Sequence, residues 1–162
     1  MEITRKKSND ALFTFIACVG ATVVLGFIAG LVSGSVRGYD GYVRPVLTPP
    51  PAVFGIVWPV LYALMGASLF VVITQGKDEK LKKAFFVLYG VQLALNITWP
   101  FVFFTANLLV TAALICILLD GATLALTVVA FRENRLAGSL LVPYMLWLLF
   151  ATYLSCAIAI LN

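Results

Sequence analysis

The sequence predicts an all-α integral membrane protein, a five-transmembrane-helix bundle that forms a single domain. Of the 162 residues, 62% are hydrophobic and only 11% are charged, and the mean hydropathy is +1.05. Soluble globular domains carry roughly 25% charged residues, so this composition excludes that class. The apolar runs lack the alternation of a membrane β-strand. Each is therefore expected to cross the bilayer as a helix, which satisfies its own backbone hydrogen bonds.

Five apolar runs are long enough for a bilayer span of about 20 residues. They are expected to form helices at residues 11–33, 52–73, 84–104, 109–131 and 139–160. The first run exceeds the apolar region of a signal peptide, which has about 7 to 15 residues, so we interpret it as a retained helix. Its glycines at 26, 30 and 34 have the four-residue spacing that allows another helix to approach closely.

The connection 34–51 is the longest between the predicted helices and is rich in glycine, proline and tyrosine. Loops of this length usually have a function. Two interpretations are open: a lid over a pocket, with Arg37 or Arg44 available to a carboxylate, or an anchor of Tyr and Arg side chains at the membrane surface.

The 11 Lys and Arg residues are distributed unevenly between the two ends of the predicted helices. Nine fall on the side of the N-terminus, against Arg37 and Arg44 on the other side. This positive-inside bias predicts a cytoplasmic N-terminus. The basic residues are not interleaved with aromatic side chains, so a nucleic-acid partner is not expected.

The chain has no histidine and its three cysteines lie within apolar runs, so neither a metal site nor a disulfide framework is expected.

Aromatic and amide side chains share helical faces in the second, third and fifth runs. The positions on these faces are Trp58, Tyr62 and Met65; Gln92, Asn96, Trp99 and Phe103; and Tyr144, Trp147 and Ala151. Amides at membrane depth need hydrogen-bond partners on a neighbouring helix or on a ligand. A packing seam and a ligand site both explain the pattern at this point.

Asp120 is the only charged residue of the fourth run, and it lies near the centre. A carboxyl group inside the membrane is a candidate for function, and loss of hydration favours its neutral form. Two interpretations stay open: an acid bonded to a neighbouring helix for structural reasons, or a proton-coupled role.

Three motifs stand in order along the chain. The second run reads VF-x-x-VW-x-x-LY-x-x-MG, the third reads QL-x-LN-x-x-W-x-x-x-FF, and the fifth reads PY-x-x-W-x-x-FA. Together they resemble the translocator protein family, whose members are also called tryptophan-rich sensory proteins. The resemblance covers nearly the whole chain. One departure is Leu47, which stands where the family often has Trp.

The resemblance implies a five-helix bundle, often a homodimer, with a pocket beneath the first loop. Members bind porphyrins and synthetic ligands of the benzodiazepine and isoquinoline carboxamide types, which implies a role in porphyrin handling or stress sensing. The porphyrin is ligand or substrate, and no resident cofactor is required. The shared faces and the resemblance together nominate as ligand-binding residues Tyr42, Trp58, Tyr62, Asn96, Trp99, Phe103, Tyr144, Trp147 and Ala151.

Two further functions follow as alternatives. In some bacterial members pocket tryptophans support light-driven breakdown of protoporphyrin IX, so Trp58 and Trp147 are the catalytic candidates if this chain does such photochemistry. A transporter that uses Asp120 for coupling is the other alternative.

The similarity to bacterial members implies that the protein is located in the bacterial cell membrane. Animal members also bind cholesterol, but no Lys or Arg follows Tyr153, so cholesterol is not expected as a partner here.

Overall fold

The computed structural model describes residues 2–35, 39 and 41–162, with side chains from Asn9 onward. It contains the helices α1 (Glu2–Ser33), α2 (Pro51–Gln75), α3 (Glu79–Pro100), α4 (Leu109–Glu133) and α5 (Arg135–Leu161). Strands are absent from these residues, and all five helices are long and apolar enough to cross a membrane. The predicted fold, an all-α membrane protein with five spanning helices, is confirmed.

Two helices begin ahead of their apolar segments because polar side chains cap their first turns. The Asp78 carboxylate accepts hydrogen bonds from the amides of Lys80 at 2.8 Å and Leu81 at 3.1 Å, so α3 begins at Glu79 rather than near residue 84. Asn134 caps α5 in the same way. Hydropathy places a helix start where the residues become apolar, and these polar first turns are therefore invisible to it.

The last turn of α3 is irregular. Pro100 has no amide hydrogen to donate to the preceding turn, and the chain continues as a π-helical turn at Phe101–Thr105. The amide of Ala106 donates to the carbonyl of Phe101 at 2.9 Å, which closes this wider turn.

The helices pack in a ring in the order α1, α2, α5, α4, α3, and the contact that would close the ring, between α1 and α3, is slight. Hydrogen bonds show which connections share an end. Glu133 at the end of α4 accepts bonds from the amides of Lys77 and Asp78 in the α2–α3 connection. Tyr42 in the first loop donates to Asn107 in the α3–α4 connection. We call the end that holds the first loop and the α3–α4 connection the lid end.

Helices α1 and α2 approach each other closely at Gly66. A Cβ atom at this position would lie 2.6 Å from the Cα of Val19 and 2.7 Å from the carbonyl oxygen of Cys18. Only glycine allows this separation, as at the small-residue contacts of other membrane helices. A hydrogen bond of 2.8 Å between the hydroxyls of Thr22 and Tyr89 joins α1 to α3, and the Thr105 hydroxyl in the π-helical turn donates to the carbonyl of Ser33 at 3.1 Å.

Candidate ligand-binding site

A cavity of about 480 Å³ lies between α1, α2 and α3, with Tyr39 of the first loop in its wall. Small-molecule sites in proteins have volumes of about 300 to 1,000 Å³, so this cavity is large enough for a ligand. The wall includes five of the residues nominated from the sequence, namely Trp58, Tyr62, Asn96, Trp99 and Ala151. Helices α2, α3 and α5 thus bring together side chains that are far apart in the chain.

Four hydrogen-bonded side chains run from the cavity wall into the interior of the bundle. The Tyr62 hydroxyl donates to Oδ1 of Asn96 at 2.6 Å, and Nδ2 of Asn96 donates to the Tyr144 hydroxyl at 2.8 Å. The Tyr144 hydroxyl in turn donates to Oε1 of Gln92 at 2.9 Å. All four residues are buried. The two amides at membrane depth therefore have interhelical partners, and Asn96 holds the Tyr62 ring in its place in the wall.

The two indoles of the wall are held differently. Trp58 stacks on Tyr62, with 5.6 Å between ring centroids and 28° between ring planes. Trp99 packs against Phe103 at 5.2 Å, and its Nε1 atom is buried with no acceptor among the described residues. A buried indole N–H usually has a hydrogen-bond partner.

Tyr144 and Trp147 of α5 lie one layer behind the wall. Tyr144 is fully buried and reaches the cavity only through its bond to Asn96. Trp147 packs edge-on against Phe54, a residue of the wall, with ring centroids 5.8 Å apart. Both side chains therefore support lining residues instead of facing the cavity.

The first loop is held against the bundle by aromatic packing. Tyr39 is only 5% exposed, and its ring centroid lies 5.4 Å from that of Phe54 and 5.6 Å from that of Phe103. Burial raises the pKa of the Tyr39 hydroxyl well above its ordinary value, so the residue stays neutral at physiological pH. Tyr42 also packs against Phe103, with ring centroids 5.4 Å apart. Tyr42 and Phe103 thus close the lid end and are not part of the cavity lining.

Hydrogen bonds tether the same loop to α5, to the C-terminal residue and to the α3–α4 connection. Tyr42 donates to Oδ1 of Asn107 at 2.7 Å, and Tyr153 donates to the carbonyl of Val46 at 2.8 Å. The side chain of Asn162 pairs with the backbone of Val43 through bonds of 2.9 and 3.2 Å. These contacts favour the lid interpretation of the first loop. Arg44 is exposed on the loop, and Arg37 lies outside the described residues.

With the geometry in place, comparison with known proteins identifies the family. Residues 18–161 match the sequence profile described as the TspO/MBR family. The chain belongs to the TspO/MBR family. The resemblance drawn from the three motifs is confirmed.

Relatives within the TspO/MBR family match over most of their length. A protein named Tryptophan-rich protein TspO from Chlorobaculum tepidum is 33% identical over 157 residues, which cover 95% of this chain and 99% of the relative. One of the same name from Archaeoglobus fulgidus is 34% identical over 155 residues, covering 93% and 98%. The Translocator protein of Homo sapiens is 37% identical over 145 residues, covering 88% and 83%.

Sequence reasoning missed the contribution of α1 to the cavity of this TspO/MBR protein. Gly26, Phe27, Gly30 and Leu31 all line it. A Cβ atom at Gly26 would lie 2.1 Å from the Tyr62 ring, so this glycine makes room for a wall residue of α2. The four-residue glycine spacing is the available signal, but it indicates close approach without saying what approaches.

Asp120 is not among the residues that line the cavity. Its Oδ2 atom accepts a hydrogen bond of 2.8 Å from the Thr152 hydroxyl on α5, and its Oδ1 atom is buried with no donor in the described part of the chain. The Thr152 bond favours the structural interpretation. The second oxygen keeps the proton-coupled alternative open.

Proposed function

We propose that this TspO/MBR protein is a membrane receptor for flat, apolar tetrapyrroles of the protoporphyrin IX type. The observation that carries the proposal is the cavity with the indoles of Trp58 and Trp99 in its wall. Aromatic side chains stack on flat conjugated rings and bury large apolar areas. Synthetic ligands of the benzodiazepine and isoquinoline carboxamide types are likewise aromatic and apolar, and the proposal includes them.

The apolar character of the cavity wall favours one orientation of a bound porphyrin. No charged side chain lines the cavity within residues 2–35, 39 and 41–162. A buried carboxylate without a partner is costly, so the acidic edge of the ring belongs outside the apolar wall. Arg37 and Arg44 are the cations of the first loop in the sequence, and we assign the propionates to them. The chain contains no histidine, so we do not expect iron ligation to contribute.

Loss of the two wall indoles is expected to weaken protoporphyrin IX binding about tenfold or more, because each aromatic contact contributes roughly 0.5–1.5 kcal/mol beyond its buried area. The comparison uses a Trp58→Ala, Trp99→Ala double variant of the full chain in detergent, titrated by porphyrin absorbance. The matched control is Trp147→Ala, which removes the indole behind the wall and should cost less affinity. Equal affinities for the double variant and the unaltered chain would contradict the assigned site.

A second candidate function is photochemical, and the stacking of Trp58 on Tyr62 in the wall favours it. A light-excited porphyrin can take one electron from the Trp58 indole, leaving an indole radical cation and a porphyrin radical anion. We expect bound protoporphyrin IX to bleach several-fold faster under light in the unaltered chain than in Trp58→Phe, with no loss in darkness. Bleaching at the same rate in both proteins would remove Trp58 from any catalytic role.

The proposal extends to placement and assembly. The uneven distribution of Lys and Arg supports a cytoplasmic N-terminus, with the lid end on the opposite side of a bacterial cell membrane. The family resemblance supports a homodimer. Membrane lipid then surrounds the outward-facing apolar side chains of all five helices.

A further inference from the structure

The exposed residues of the cavity wall lie on α1 and α2, which places an opening sideways between these two helices. Of its lining residues on α1, Phe27 is 59% exposed and Leu31 is 52% exposed. Ala52 and Gly55 on α2 are exposed as well. The lining residues of α3 and α5 are buried or half-buried. The outer rim of the cavity is thus formed by α1 and α2.

The opening lies at the depth of the lipid hydrocarbon. Phe27 and Gly55 are about 9 Å and about 6 Å inside the ends of α1 and α2, at a rise of 1.5 Å per residue. Both belong to segments long and apolar enough to cross the bilayer. The residues next to them, Ile28 and Ile56, are exposed and apolar. A molecule at the rim would therefore meet acyl chains and not water.

The lid end offers more resistance than the opening does. Passage through the first loop would have to displace Tyr39 from its aromatic neighbours and break the tethers at Tyr42, Val43 and Val46. Between α1 and α2, by contrast, no side-chain hydrogen bond joins the two helices in the described residues, and their tight backbone contact at Gly66 lies away from the lid end. Helix α1 is also the least buried of the five spans.

From these contacts we infer that ligands reach the cavity sideways, out of the bilayer hydrocarbon and between α1 and α2, while the lid end stays closed. The inference rests on the proposed function for the class of ligand and adds its source. The site takes a flat apolar molecule that is already dissolved in the membrane. Partition into lipid then concentrates the ligand beside the opening before it binds.

Widening the rim is expected to speed binding. Phe27→Ala removes the largest side chain on the α1 side of the opening. In phosphatidylcholine vesicles that contain protoporphyrin IX, stopped-flow quenching of tryptophan fluorescence should show association several-fold faster than in the unaltered chain. A lost binding contact would speed dissociation alone, so faster association identifies the route. Ile28→Ala is the matched control, because Ile28 is the next residue, is 51% exposed and does not line the cavity.

Locking the lid should leave the same rates unchanged. Val43→Cys and Asn162→Cys, in a chain that also carries Cys156→Ser, place two thiols where the loop meets the end of α5. A short thiol crosslinker then fixes the loop. Slower association after crosslinking, together with no effect of Phe27→Ala, would overturn lateral access.

A fluorescence measurement without porphyrin tests lateral access separately from the proposed porphyrin binding. In a chain that keeps Trp58 as its one tryptophan, through Trp99→Phe and Trp147→Phe, bromine atoms on lipid acyl chains quench the indole more strongly the closer the chains come to it. We expect such quenching, and we expect Phe27→Ala to increase it while Ile28→Ala does not. Absence of protoporphyrin binding would overturn the proposed function alone. Trp58 quenching that is insensitive to Phe27→Ala would overturn the lateral opening.

Discussion

Gly66→Ala is expected to lower the free energy of unfolding by about 1 to 3 kcal/mol, the usual cost of overpacking a close-packed contact. The atoms that an added Cβ would meet belong to the backbone of α1, at 2.6 Å for the Cα of Val19 and 2.7 Å for the carbonyl oxygen of Cys18. A backbone cannot rotate out of the way as a side chain can. Helix α1 must therefore move off α2, and because α1 forms part of the cavity wall, ligand affinity should fall with stability.

Thermal unfolding in detergent, followed by circular dichroism, measures the effect. Gly90→Ala is the matched control on α3, because Gly90 is exposed and a Cβ there meets nothing within 4 Å. It should leave the midpoint unchanged or raise it slightly, since alanine favours a helix over glycine by up to about 1 kcal/mol. Equal midpoint shifts for the two alanine variants would mean that the α1–α2 contact does not limit stability.

Asn96→Leu is expected to cost about 1 to 3 kcal/mol of stability and to weaken ligand binding as well. The leucine keeps the size of the side chain but removes both of its hydrogen bonds. The Tyr62 hydroxyl loses its acceptor and the Tyr144 hydroxyl loses a donor, and both hydroxyls belong to buried residues. The Tyr62 ring is then no longer held in the wall, which is why affinity should fall together with stability.

A second substitution distinguishes the lost bonds from a packing effect. Tyr62→Phe in the Asn96→Leu background removes the hydroxyl that was left without an acceptor, and part of the lost stability should return. Thr98→Val is the control on the same helix, because it deletes only a local bond to the Ala94 carbonyl on the exposed face and should change stability by less than about 0.5 kcal/mol. If Thr98→Val lowered stability as much as Asn96→Leu does, the buried hydrogen bonds of Asn96 would contribute no more to stability than a local bond on the exposed face.

The sequence predicts the class of the fold and much of one cavity wall, and the reasons are specific. Apolar runs of bilayer length leave a helix as the one way to satisfy their backbones. Helical spacing places Trp58 with Tyr62 and Asn96 with Trp99, and these four do line one cavity. Helical spacing shows which residues share a face of a helix, but not how far each of them lies from the cavity.

That limit explains the residues that the sequence alone could not place. Trp147 shares a face with Ala151, yet it lies behind Phe54 while Ala151 reaches the wall. Gly26 has no side chain from which a role could be inferred, and its contribution is the room that it leaves for Tyr62. Such a role depends on which helix packs beside it, and that is known only once the bundle is assembled.

The π-helical turn at Phe101–Thr105 has a consequence for the lid end. Neighbouring residues of a regular α-helix point about 100° apart, since a full turn takes 3.6 residues. Here two consecutive aromatic rings both face the interior of the bundle, with Phe103 buried against Tyr39 and Phe104 in the cavity wall. The wider turn accommodates one residue more than a regular helix would over the same height. Deleting a single residue from this turn would restore regular winding and rotate one of the two rings towards lipid. The aromatic packing at the lid end therefore depends on the number of residues in the turn as well as on their identity.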